Sequence, residues 1–71
     1  MKFLEFIDRT DNMELSLNID DILAYKRVDQ KSMVIGEDKE VFTAIRCSQN
    51  RIYEVTDTYD VVKAKLTAAL N

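Results

Sequence analysis

Residues 51–70 read RIYEVTDTYDVVKAKLTAAL, and this stretch decides the fold. Arg51 to Val55 alternates: Tyr53 and Val55 fall on one face, Ile52 and Glu54 on the other. That is the period of a strand. Thr56, Asp57 and Thr58 break it. A hydroxyl at this point caps a helix by accepting a hydrogen bond from a free amide of the first turn; Thr58 is the expected cap and Thr56 the alternative. Asp57 and Asp60 put negative charge at the positive end of the helix dipole. Beyond the cap, Tyr59, Val62, Leu66 and Ala69 or Leu70 recur at helical spacing, with Lys63, Lys65 and Thr67 mostly off that stripe. So short a helix is stable only when docked, and the sheet before it needs a cover. The stripe therefore reads as core-facing.

The segments upstream supply the sheet. Lys2–Asp8 is a first strand, with Leu4 and Phe6 on one face and Phe3 and Ile7 on the other. Arg9–Asn12 are turn formers. Met13, Leu15 and Leu17 then alternate with Glu14, Ser16 and Asn18, which predicts a second strand paired antiparallel with the first. Asn18-Ile19-Asp20-Asp21-Ile22 has the side-chain acceptors of a capped single turn. The adjacent Asp20 and Asp21 read as solvated caps, not as a metal or acid–base pair. Leu23–Val28 is a third strand. Asp29–Glu40 is the least regular part; its apolar run Met33–Ile35 is either a short extra strand or a flap, and the length of the segment favours some strand character. Val41–Ser48 is a long strand with Val41, Thr43, Ile45 and Cys47 on one face and Phe42, Ala44 and Arg46 on the other. Gln49-Asn50 makes the turn into Arg51, with Asn50 suited to positive φ. Residues 1–71 thus form one small α+β domain, an antiparallel sheet of about five strands with one C-terminal helix packed on one face.

Composition narrows the chemistry. The 71 residues contain no histidine, which removes imidazole-based metal sites and Ser–His or Cys–His catalysis from this chain. Cys47 is the single cysteine, so no internal disulfide forms, and its place on a strand suits a small buried apolar residue. The amino terminus is too briefly apolar and too soon charged for a signal peptide or a membrane span, and the chain reads as cytoplasmic. A net charge of −3 argues against a bare phosphate-binding role and is too small for an acidic, DNA-mimicking shell. There is no Gly-rich phosphate loop and no nucleophile–base pair. The chain is expected to be neither an enzyme nor the holder of a cofactor or metal.

LNIDDILAY at 17–25, followed by IRCSQNRIYEVTDTYDVVKAKL at 45–66, resembles the FlbD-like family of short bacterial flagellar-operon modules. It is more distantly similar to the C-terminal strands and helix of LytTR DNA-binding domains. Shared features are the Asn-x-Asp-x-Ile bend before a strand, and a strand ending in Val that runs through a Ser/Thr cap into a short helix. Residues 29–40 stand as an insertion, and Gln49-Asn50 replaces the turn glycine common in such modules. The resemblance implies a hairpin, bend, hairpin and helix in that order; its LytTR side implies DNA contacts from loops and strands.

Two binding surfaces follow from the strand faces. Phe3, Ile7, Phe42 and Ile52 lie opposite the helix-facing set, and a single helix cannot cover both sides. They are the candidate interface, either with a partner protein or, as the specific expectation, with a second copy in a homodimer. Lys26, Arg27, Lys31, Arg46 and Arg51 are the candidate anion contacts if the last three strands are neighbours. The expected function is a small non-catalytic binding or adaptor protein, of bacterial or phage accessory type. The alternatives are nucleic-acid or nucleotide binding through the basic set, and an oligomer that sequesters a small anionic ligand.

Overall fold

The computed structural model describes residues 2–30 and 40–70. Five strands and one helix follow in order: β1 (Phe3–Ile7), β2 (Glu14–Asn18), β3 (Ile22–Gln30), β4 (Glu40–Cys47), β5 (Arg51–Val55) and α1 (Tyr59–Leu70). A 3-10 turn, Ile19–Asp21, joins β2 to β3, and its Asn18 side chain accepts from the Asp20 amide at 3.0 Å. A second, Ser48–Asn50, joins β4 to β5. There Gln49 and Asn50 both take positive φ, 62° and 60°, so the left-handed turn covers one residue more than the sequence suggests. The Met33–Ile35 run and Lys31 lie outside the described residues.

The strands do not form one five-stranded sheet. They form two antiparallel sheets, β1–β2 and β3–β4–β5. Among the described residues their backbones are joined at one bridge, Asp8 with Val55, flanked by bonds from the Arg9 amide to the Glu54 carbonyl and from the Thr56 amide to the Ile7 carbonyl, each 2.8 Å. The reason for the split is visible on the outer edge of β1. The Ile7 amide, which would carry the ladder onward, donates to Asp57 Oδ1 at 2.9 Å. The Glu5 carbonyl accepts from Lys65 Nζ at 2.6 Å. A helix side chain and the residue before the helix cap take the roles of a neighbouring strand, so β1 peels away from β5.

The wedge between the sheets is the core. Phe6, Leu17, Ile45, Cys47, Val55, Val62 and Leu66 are buried, with Leu4, Leu15, Ile19, Ile22, Tyr25 and Tyr53 packed around them. These are the inward positions that alternation assigns to the strands, and Val62 and Leu66 are the helix positions that the 3.6-residue period selects. Thr58 caps the helix, its Oγ1 accepting from the Val61 amide at 3.3 Å. Tyr59 leaves the helix start to stack on Tyr25, ring centroids 5.1 Å apart.

Candidate functional site

Cross-strand register builds the outer face of the three-stranded sheet, the face turned away from α1. One row across it is Ile52, Arg46, Ala24; the next is Glu54, Ala44, Lys26; the third adds Phe42 and Val28. Directly opposed residues share a face and touch, so side-chain length alone shapes this surface. Two alanines form its floor. Lys26, Arg46 and Ile52 rise around them, and with Ala24, Tyr25 and Ala44 they line a shallow depression of about 290 Å³. Ile52 is 64% exposed.

Charge is unevenly spread over this face. On this face the Glu54 carboxylate is held by the Arg9 guanidinium at 3.3 Å. Among the described residues, Lys26 and Arg46 have no carboxylate partner. The depression is therefore locally cationic although the chain is acidic overall.

Of the four apolar interface candidates, Phe42 is not available to a partner. It is only 2% exposed, and Arg9 lies over its ring at 4.1 Å from the centroid. The turn after β1 brings Arg9 there, and no local sequence pattern signals it. Ile52 stays on the open face. Phe3, 58% exposed, and the partly buried Ile7 belong to β1, in the other sheet. The four therefore do not form one continuous patch.

The basic set is likewise dispersed. Lys26 and Arg46 are diagonal neighbours on the outer face. Arg27 is on the helix side, where it pairs with Asp29 at 3.5 Å and lines a cavity of about 560 Å³ with Val41, Thr58, Tyr59 and Asp60. Arg51 points into a cleft of about 160 Å³ between the two sheets, beside Phe3, Asp21, Cys47 and Tyr53, and donates to Gln49 Oε1 at 3.1 Å.

Two buried side chains of the sheet, Cys47 and Thr43, carry groups that chemistry could use. Cys47 is buried, and its thiol is pushed above its ordinary value, first by desolvation and then by the Asp21 charge, with Arg51 opposing. A thiol so held is a weak nucleophile. Thr43, fully buried, donates its hydroxyl to the Asp57 carbonyl at 2.7 Å. Among the described residues no three His, Cys, Asp or Glu side chains gather to hold a metal. Comparison of the chain with protein-family models, with curated proteins and with solved structures finds no match.

Proposed function

We propose that this chain is a non-catalytic binding module whose contact surface is the outer face of β3–β4–β5. The observation that carries the reading is the pairing of a depression, floored by Ala24 and Ala44 and flanked by exposed Ile52, with two cations that have no carboxylate partner among the described residues. A flat apolar patch with a charged rim is the usual anatomy of a protein interface. Unpaired cations on it select an acidic partner and disfavour a second copy of the same face. The bacterial or phage accessory role, and the likeness to FlbD-like modules, rest on the sequence segments and on the order of hairpin, Asn-capped turn, hairpin and Thr-capped helix. No helix among the described residues is long and apolar enough to cross a membrane. A cytoplasmic site of action remains part of the proposal.

The test is cross-linking in the source cells with a photoreactive residue at position 52 and, as control, at exposed Lys63 on α1. A discrete adduct from position 52, absent from position 63 and lost in Lys26→Glu/Arg46→Glu, is expected. Equal adducts from both positions, or none from position 52, overturn the reading. The same two cations favour one alternative, an anion such as a nucleic acid or nucleotide. It requires an adduct with nucleic acid, or binding that weakens steeply with salt.

A further inference from the structure

β3 is nine residues long and, among the described residues, pairs only with β4. Along its other edge no backbone bond to a further strand is made among the described residues. Such an edge is a template for another strand. The chain has no proline to block it. Its one irregularity, a bulge between Ile22 and Ala24, leaves Ala24–Gln30 regular.

Pairing of this edge with its own copy is tightly restricted. A two-fold axis normal to the sheet makes each residue oppose one on the same face, so the axis must pass midway between two copies of one residue. Three centres give five or more pairs within the regular stretch. Centring on Lys26 sets lysine against lysine, and centring on Arg27 sets arginine against arginine. Both juxtapose like charges. Centring on Val28 sets valine against valine and Arg27 against the second copy's residue 29, an aspartate, twice by symmetry. Arg27 and Asp29 already share one face, with their charged groups 3.5 Å apart and their side chains 64% and 44% exposed.

We propose that two copies of this chain associate along the free edge of β3, antiparallel about Val28, with Arg27 of each copy opposite Asp29 of the other. The pairing joins two three-stranded sheets into one of six and puts four charges into an alternating cluster. It leaves the Ile52 face open on both copies, so it stands or falls apart from the outer-face reading. A domain this small, with a limited core, gains stability from association.

The experiment is sedimentation over a concentration series. The wild type should be a dimer, and Ile52→Asp should leave it one. Arg27→Asp opposes two aspartates across each pair, and Asp29→Arg opposes two arginines; each should raise the dissociation constant about tenfold or more. A 1:1 mixture of the two single variants should form a heterodimer, because each then supplies the charge the other lacks. The double variant Arg27→Asp/Asp29→Arg should dimerise again. Recovery in the mixture is intermolecular, because each single variant keeps like charges at 27 and 29 within its own chain, so a mere folding defect does not imitate it. A wild type monomeric throughout, a dimer indifferent to the single substitutions, or a mixture that stays monomeric overturns the proposal.

Discussion

Lys65→Met tests the account of why the sheet divides. Lys65 Nζ donates to Asp57 Oδ2 at 3.1 Å and to the Glu5 carbonyl at 2.6 Å, and lies 5.0 Å from the centre of the Phe6 ring. Methionine keeps the length and the apolar stem but removes both bonds. Asp57 is only 12% exposed, so its carboxylate is left with the Ile7 amide alone, in a setting where water replaces Lys65 poorly. A hydrogen bond to a charged group is worth about 1.5–3 kcal/mol. The 37% exposure of the Lys65 side chain screens the pair and places the loss near the lower end, about 1.5–2 kcal/mol. For a domain of this size that lowers Tm by roughly 10 °C. Thermal and urea unfolding followed by circular dichroism give the value. Asp57→Asn, which keeps an acceptor for Ile7 but loses the charge, completes a double-mutant cycle. The coupling expected between the two sites is about 1 kcal/mol. A loss under about 0.5 kcal/mol for Lys65→Met, the range of an ordinary surface change, or strict additivity in the cycle, refutes the reasoning.

Three further outcomes follow from the same contacts. Phe42→Ala should destabilise by about 3 kcal/mol, whereas Ile52→Asp should stay within about 0.5 kcal/mol; equal losses in denaturant titrations would mean that Phe42 does not sit under Arg9 as described. Thr58→Ala should cost about 1 kcal/mol through the lost cap, with Thr56→Ala near neutral, and the reverse ranking would move the helix start. Cys47 sets an alkaline limit. Its folded thiol titrates above the ordinary value of 9.0, so the unfolded chain ionises first and stability falls as pH rises through that window, while below it the contribution is fully present. Cys47→Ala should flatten that alkaline decline, and an unchanged slope between wild type and variant would remove the buried thiol as its cause.

How much of this is legible along the chain depends on the range of the interaction. Alternation in Met13–Asn18, Val41–Cys47 and Arg51–Val55 identifies the strands and their inward faces, because strand period is local. The acceptor side chains of Asn18 and Thr58 mark the two caps for the same reason. Hydrophobic pattern also places Phe6, Ile45, Val55, Val62 and Leu66 inside, since burial of apolar area is the dominant force in folding and these side chains have few other places to go. The site is less legible. Register puts Lys26 and Arg46 on one face and Arg27 and Arg51 elsewhere, because neighbours along a strand point to opposite faces and register alone decides which charges meet. Phe42 is assigned to the face away from the helix correctly and yet is covered, by an arginine far away in sequence.

By itself, then, the sequence determined the elements, their caps, their inward faces and the lack of any histidine side chain. Each of these follows from a residue's own nature or from neighbours within a turn of helix or a strand period. Only the tertiary structure decided that the five strands split into two sheets, that Asp57 and Lys65 occupy the edge where β5 would have paired with β1, and that Arg9 closes over Phe42. Those choices depend on which polar groups compete for the same backbone donors and acceptors across long stretches of chain. That competition has no periodicity, so it leaves no pattern to read before the chain is folded.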